Sequence, residues 1–361
     1  MSRKVFFVNS ARTWGGGEKW HFHAATFFSG RCEVVGIVAP GSALAQRMTK
    51  AGLGVVGVPI GNLSFLNPLK LLRLYLQFRS TDTAAVILNL PSDVKLAGVA
   101  ARLAGVKKII YRRGMPKPIR DTWLNRYLFG KVVTDVIVNS EEIGRSLVKN
   151  NTSIIDRDKV HLVYNGVNFD HYDDFDGIPV IKRQAGEFIL GTTGRLVDQK
   201  NQLMLVNVVA GLKASGFPVK LYIAGTGPLE EDLRVQITSH GLDDDIILLG
   251  FIDDTRALLK ALDIFVFPSR YEGSANAIVE AMAMGLPVVA YDVSSMPEMV
   301  EDGVTGLLAP YESEDGFRKQ VERLLQDEEL RKSMGRAGRT RAETRFSHAR
   351  NMERVLEMVL G

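Results

Sequence analysis

The sequence predicts an α/β fold made of two doubly wound, parallel-sheet domains, and three observations carry that expectation. Short apolar runs rich in β-branched and aromatic residues alternate with helical patterns along the whole chain, which is the signature of βα units. At 361 residues the chain is too long for one typical domain and comfortable for two. The alternation breaks once, from Asn168 to Gly186, where Asp and Gly accumulate without periodicity and a linker is expected.

In the first half, residues 3–9 read as a strand, followed by Trp14-Gly15-Gly16-Gly17 and a helix from Glu18 to Phe28. Glycines between a strand and a helix let backbone N–H groups approach a ligand closely, although three in a row are not a dinucleotide fingerprint. His21 and His23 lie two apart, so on a helix they point to different faces and make a poor metal pair. Strands are expected at 33–39, 54–59, 84–90, 106–111 and 132–139, with helices at 42–51, 93–104 and 141–149 between them. The segment from Pro68 to Arg79 is leucine-rich with a basic edge of Lys70, Arg73 and Arg79. It fits a helix packed on the sheet with snorkelling basic side chains, or a helix at a membrane surface. Arg112-Arg113-Gly114 places two guanidinium groups where a strand ends, and residues 160–167 close the half.

Composition is that of a soluble globular protein, 46% hydrophobic and 24% charged, which argues against disorder and fibrous classes. The single cysteine, Cys32, excludes an internal disulfide framework and fits a reducing compartment. No apolar run reaches the length of a membrane span, and Val5-Phe6-Phe7-Val8 is too short for a signal-peptide core, so a cytoplasmic protein is expected. The net charge of +4 is unevenly spread. Between residues 102 and 131 stand Arg102, Lys107, Lys108, Arg112, Arg113, Lys117, Arg120, Arg126 and Lys131 against a lone Asp121, which suits an anionic partner or a solvated face.

The second half repeats the alternation, with strands expected at 187–193, 219–224, 246–249, 263–267 and 287–291, and a separate helix from Ser347 to Leu360. Three strand-to-helix loops carry distinctive residues: Gly194-Arg195-Leu196 with Lys200, Gly225-Thr226-Gly227-Pro228, and Glu272-Gly273-Ser274-Ala275-Asn276 with Glu280 one turn into a helix. Ser274 or Asn276 would cap that helix, and Gly285 would end it. On a parallel sheet such loops emerge at one edge. Two cations, two carboxylates and a helix N-terminus together suit a nucleotide diphosphate, with the cations and amides on the phosphates and a carboxylate on a vicinal diol. Asp174-Phe175-Asp176 has metal-binding spacing but no preceding strand, so metal binding there is not expected.

With Tyr164-Asn165-Gly166-Val167, these motifs in this order resemble the retaining glycosyltransferases of family 4, and the resemblance covers nearly the whole chain. It implies the GT-B fold: a Rossmann-like domain over residues 1–168 on the acceptor side, a second over 169–345 that binds the nucleotide sugar, the two facing each other across a cleft, and a C-terminal helix over 346–361 packing back on the first. The donor would be UDP- or GDP-linked, with no further cofactor and no metal. Arg195 and Lys200 would hold its diphosphate and Glu280 its ribose. Glu272 would face the sugar hydroxyls, and amides around Gly273, Ser274, Ala275 and Asn276 would contact sugar and phosphate beside Gly225. Gly16 and Gly17 would approach the diphosphate from the first domain. Attack by the acceptor hydroxyl on the donor's front face is implied, the diphosphate taking the proton. The acceptor would be a carbohydrate or lipid-linked glycan of the cell envelope, and no nucleic acid is expected; peripheral contact with an anionic membrane at its inner face is one reading of the basic cluster and of the 68–79 segment, not of the resemblance. Trp14, Trp20 and the basic cluster would lie on the acceptor side.

One departure stands out. The family usually has a histidine after the strand at 106–111, and Arg113 occupies that place. Arginine is no base at neutral pH but can hold a phosphate or carboxylate, so Arg113 is expected on the donor diphosphate or an acidic acceptor, or in a structural ion pair. Two other functions remain: a nicotinamide-dependent oxidoreductase, for which the G-x-G-x-x-G fingerprint is missing, and a sugar-nucleotide-binding protein without catalysis.

Overall fold

The computed structural model describes residues 3–115, 119–149, 154–177, 181 and 183–361; Lys117 of the basic cluster lies outside them. The chain divides into two compact units, Met1–Asn165 with Ala349–Gly361, and Gly166–His348.

The first unit is a seven-stranded parallel sheet of β1 (Lys4–Asn9), β2 (Glu33–Val38), β3 (Gly54–Gly57), β4 (Thr83–Leu88), β5 (Lys108–Arg113), β6 (Asp135–Val138) and β7 (Val160–Leu162), ordered β3-β2-β1-β4-β5-β6-β7. Strand side chains alternate between faces, so β1 feeds two cores. Phe6 and Val8 meet Leu74 and Phe78 of helix α3 (Pro68–Arg79) and Ala100 and Ala101 of α4 (Val99–Leu103). Val5 and Phe7 meet Ala24 and Phe28 of α1 (Gly16–Ser29) and Leu44 and Met48 of α2 (Ala43–Lys50). Burial on both faces is what a run such as Val-Phe-Phe-Val requires. Helix α5 (Glu141–Lys149) follows β6. The helix expected over 93–104 is less regular: Pro91–Asp93 forms one α-turn, and a π-turn at Val94–Gly98 precedes α4.

Trp20 is buried in the core against α1's neighbours, with the Arg112 guanidinium 5.4 Å from its ring, and so does not present a surface to an acceptor. Trp14 is half-buried under Arg47, 4.4 Å away. His21 is fully buried against Phe7 and Trp20, and neither ring nitrogen has a hydrogen-bond partner among the described residues. Burial, and then the nearby Arg112, push its pKa down to about 3. Because the unfolded imidazole takes up a proton below about 6.5 and the folded one does not, stability present above that pH is lost as pH falls towards 3. Asp93, buried and pushed up to about 7, acts in the opposite sense, its stabilisation full at low pH and lost as pH rises to 7. A His21→Phe variant should therefore gain about 2 kcal/mol on the parent between pH 8 and pH 5. Thermal melting at both values checks it; an equal pH response of the two proteins would contradict it.

The second unit holds six parallel strands, β8 (Phe188–Thr193), β9 (Val219–Ala224), β10 (Ile246–Gly250), β11 (Ile264–Phe267), β12 (Val288–Tyr291) and β13 (Gly306–Ala309), ordered β10-β9-β8-β11-β12-β13. The sequence reading missed β13, a four-residue strand that begins on glycine. That glycine is required because a Cβ at Gly306 would stand 2.3 Å from the Val288 carbonyl oxygen. The supposed linker also contains structure. Helix α6 (Asp170–Asp173) and its flanks are fastened to the second unit: the Arg256 guanidinium lies 4.7 Å from the Phe175 ring, and Arg339 pairs with Asp173 at 2.6 Å and covers Phe169. Helices α7 (Gln202–Ala214), α8 (Glu230–Ser239), α9 (Asn276–Ala283), α10 (Glu314–Gln326) and α11 (Glu328–Arg345) surround this sheet.

Helix α12 (His348–Leu360) belongs to the first unit from Ala349 on. Met352, Val355, Leu356 and Val359 recur at helical spacing and are buried with Phe7, Trp20 and Phe28. Asn351 Nδ2 donates to the Tyr164 carbonyl at 3.0 Å. At roughly 1.5–3 kcal/mol per buried side chain, losing this helix would cost about as much as a domain's whole stability.

Candidate functional site

Strands β8, β9 and β11 lie near one another in the second sheet, so the loops leaving their carboxyl ends are neighbours. The first two are zipped backbone to backbone. Gly194 N donates to Ala224 O at 2.9 Å, Leu196 N to Thr226 O at 3.0 Å, and Leu229 N to Leu196 O at 3.1 Å. The contact explains the glycine at 225: its φ is +147°, and a Cβ would stand 1.8 Å from the Gly194 carbonyl oxygen. Gly225 therefore shapes the Arg195 loop, a role that needs no ligand. Asn201, with φ 55°, turns the chain into α7, a left-handed conformation that asparagine tolerates.

The third loop is fastened to the first. Arg270 N donates to Gln199 O at 2.8 Å and Gln199 Nε2 to Tyr271 O at 2.8 Å. Lys200 Nζ donates to Glu272 Oε1 at 2.5 Å, with both side chains largely buried, and sits 4.9 Å from the centre of the Phe267 ring. The pair that the sequence left as two separate groups is thus one charge-assisted contact. Arg195 differs. Its side chain is exposed and forms no hydrogen bond or ion pair among the described residues, while Gln202 Nε2 holds its carbonyl at 3.0 Å.

Helix α9 starts at Asn276 with Ala275 as N-cap, and no side chain caps it. Neither Ser274 nor Asn276 takes the capping position expected; instead Ser274 Oγ donates to Asn276 Oδ1 at 3.2 Å. Gly273 and Ser274 are half-buried, and Ala275 is buried. Glu280, the fifth residue of α9, is half-buried and faces Tyr172 of α6: burial, and then the Glu280 carboxylate, push the Tyr172 hydroxyl well above its ordinary pKa.

In the first unit, α1 begins at Gly16 with an uncapped Gly15 before it. A Cβ on Gly17 would stand 2.8 Å from Asn89 Nδ2, and buried Glu18 accepts from Asn9 Nδ2 at 3.3 Å and Asn89 Nδ2 at 3.2 Å. Arg112 and Arg113 are the last residues of β5 and are buried, where a loop was expected. Arg113 Nη1 donates to the Tyr111 hydroxyl at 3.3 Å and Arg112 Nη2 to Asn165 Oδ1 at 3.4 Å. Desolvation pushes Arg112 down to about 10. Among the described residues no group of His, Cys, Asp and Glu is arranged to hold a metal ion.

Residues 177–341 match the sequence profile of the family glycosyl transferases group 1. The chain is similar to the capsular polysaccharide biosynthesis glycosyltransferase CapM of Staphylococcus aureus, 25% identical over 61% of this chain and 61% of that protein. It is 26% identical to the UDP-Gal:alpha-D-GlcNAc-diphosphoundecaprenol alpha-1,3-galactosyltransferase of Escherichia coli, over 83% of this chain and 81% of that one. The crystal structure of Anabaena HepE in complex with UDP superposes with a TM-score of 0.84 at 20% identity, covering 99% of each chain. Residues 177–341 therefore carry the group 1 glycosyl transferase match, within the second unit. The fold of the chain is GT-B.

Arg195, Lys200, Glu272 and the start of α9 stand together in the second unit, within the matched residues, while Gly16, Gly17 and Arg113 lie in the first. Three residues at the second-unit edge have roles that the sequence alone did not assign. Ser294, with φ 57°, accepts from Glu272 N at 3.3 Å and donates to Glu272 O at 2.8 Å, fixing the backbone under the carboxylate. Arg270 reaches Glu312 at 3.2 Å and Asn201 at 3.3 Å, bracing two loops. Tyr172 was hidden in the segment taken as linker. Only Ser294 left a trace, in the turn-type pair Ser294-Ser295 after β12.

Proposed function

We propose that the protein is a retaining, metal-independent glycosyltransferase that moves a hexosyl group from a UDP- or GDP-linked donor to a lipid-linked or polysaccharide acceptor of the cell envelope. The observation that carries this reading is the convergence on one sheet edge of an exposed Arg195 with no partner among the described residues, the Lys200–Glu272 pair and an uncapped helix start. Arg195 and Lys200 would take the donor's diphosphate, joined by amides of Gly273, Ser274, Ala275 and Asn276. Glu280 would accept from the ribose hydroxyls, and Glu272 from the sugar. As the bond from the anomeric carbon to the phosphate oxygen breaks, charge grows on the diphosphate, where fixed cations stabilise it. The acceptor oxygen then bonds to that carbon from the same face, and its proton passes to the departing phosphate oxygen. Both carboxylates serve donor binding in this scheme, so no residue is left for a double displacement, which needs two carboxyls about 5 Å apart across the bond.

The similar galactosyltransferase is named for a UDP donor, a diphosphoundecaprenol acceptor and an alpha linkage, which supports a nucleotide donor and a lipid-linked acceptor here; HepE, crystallised with UDP, supports the donor alone. An acceptor anchored in lipid would bring the enzyme to the inner face of a cytoplasmic membrane. Arg113, held by Tyr111, would place its guanidinium for a phosphate or carboxylate of donor or acceptor. The test is nucleotide release from UDP-, GDP-, ADP- and TDP-sugars with a lipid-diphosphate acceptor, with and without EDTA, and the product's anomeric configuration by NMR. Transfer with retention that survives the chelator is expected; inversion, or loss of activity with EDTA, would refute the mechanism, and binding without turnover would refute the enzyme.

A further inference from the structure

Helix α3 carries two apolar stripes, and the fold uses one. Leu74 and Phe78 are buried against the sheet, with Leu71 and Tyr75 packed beside them. Leu69, Leu72 and Leu76 follow one another at helical spacing, so they share a line along the opposite side, and they are 75%, 50% and 53% exposed. The 3₁₀ turn Ser64–Leu66 extends the row with Leu63 and Leu66, 72% and 67% exposed.

This row is held in place. Asn67 caps α3 by accepting from Lys70 N at 3.1 Å, and Lys70 Nζ donates to the Pro59 carbonyl at 2.6 Å and to Ser64 Oγ at 3.4 Å, which fixes the turn on the helix. Helix α4 packs beside α3 over the same face of the sheet and adds exposed Leu103 and Arg102. Single exposed leucines are ordinary in a folded protein; five in one row are a contact surface.

The charge around the row has one sign. No aspartate or glutamate occurs from Gly61 to Thr81 or from Val94 to Arg120. Arg73, Arg79 and Arg102 are exposed beside the leucines and make no ion pair among the described residues. A second copy docking here through a twofold axis would bring these arginines against their own counterparts, which opposes association. An anionic lipid surface meets both features: phosphates for the guanidinium groups and an acyl boundary for the leucines.

We propose that the outer face of α3, with the preceding turn and the exposed end of α4, docks on an anionic bilayer, Leu66, Leu69, Leu72 and Leu76 entering the headgroup–acyl boundary and Arg73, Arg79 and Arg102 meeting lipid phosphates. The proposal extends the reading of a lipid-linked acceptor, but vesicle binding and sugar transfer are separate readouts, so each can fail alone. The test is co-sedimentation of the full chain with vesicles of phosphatidylcholine with and without phosphatidylglycerol. The parent is expected to bind the anionic vesicles, less well as salt is raised. Leu69→Ser/Leu72→Ser/Leu76→Ser and, separately, Arg73→Glu/Arg79→Glu should each bind roughly tenfold more weakly or worse, with unchanged melting temperature. All substituted residues are exposed, so folding is preserved. A parent that ignores anionic vesicles, variants that bind as the parent does, or a dimer in solution that the leucine variant abolishes would each overturn the assignment.

Discussion

Replacing Arg195 with alanine is expected to lower kcat/KM by about 10²- to 10³-fold without loss of melting temperature. The side chain is exposed and unpartnered among the described residues, so its removal leaves no buried group unsatisfied. Its loss would be felt where charge grows on the leaving diphosphate, and kcat should fall more than donor affinity. Lys200→Ala should reduce transfer by a similar factor, yet it should also destabilise the second unit. It leaves the nearly buried Glu272 carboxylate without the partner now at 2.5 Å. A variant at Arg195 that melts like the parent and transfers at the parent rate would remove that residue from the mechanism.

The second large effect concerns Glu272. In the structure its carboxylate occupies Lys200, the same ammonium that the diphosphate would use, so donor and carboxylate compete for one cation. Glu272→Gln keeps the shape and removes the charge. Transfer should fall about 100-fold, because the sugar loses a charge-assisted acceptor in the transition state. Free UDP should bind severalfold more tightly than to the parent, because Lys200 is released and a negative charge near the diphosphate is gone. Activity and calorimetry on the same preparation separate the two effects. Unchanged transfer, or weaker binding of the free nucleotide, would place Glu272 elsewhere in the chemistry.

Much of this edge was legible from local pattern. The strand-loop-helix order around Arg195, Gly225 and Glu272 follows from apolar runs ended by glycine or proline, and a parallel sheet sends all such loops to one side. What local pattern does not encode is which loops touch. Lys200 and Glu272 are separated by 72 residues and meet because β8 and β11 are adjacent, a fact of strand order. The clash that demands glycine at 225 is equally non-local, since the obstructing atom belongs to the Gly194 carbonyl. Ser294 and Tyr172 were invisible for the same reason. Helix α3 shows the opposite limit: its leucines were plain in the sequence, yet which of them faced the sheet and which faced out depended on the neighbour it packs against. The C-terminal helix was clear because Met352, Val355, Leu356 and Val359 repeat at the period of one buried stripe.

The assignment of donor grip to the second unit is tested most directly by titration calorimetry of UDP and GDP into the parent and Glu280→Ala. A lost pair of charge-assisted hydrogen bonds to the ribose should weaken the preferred nucleotide by about 10- to 100-fold in the variant. Equal affinity of the two proteins for that nucleotide would contradict it.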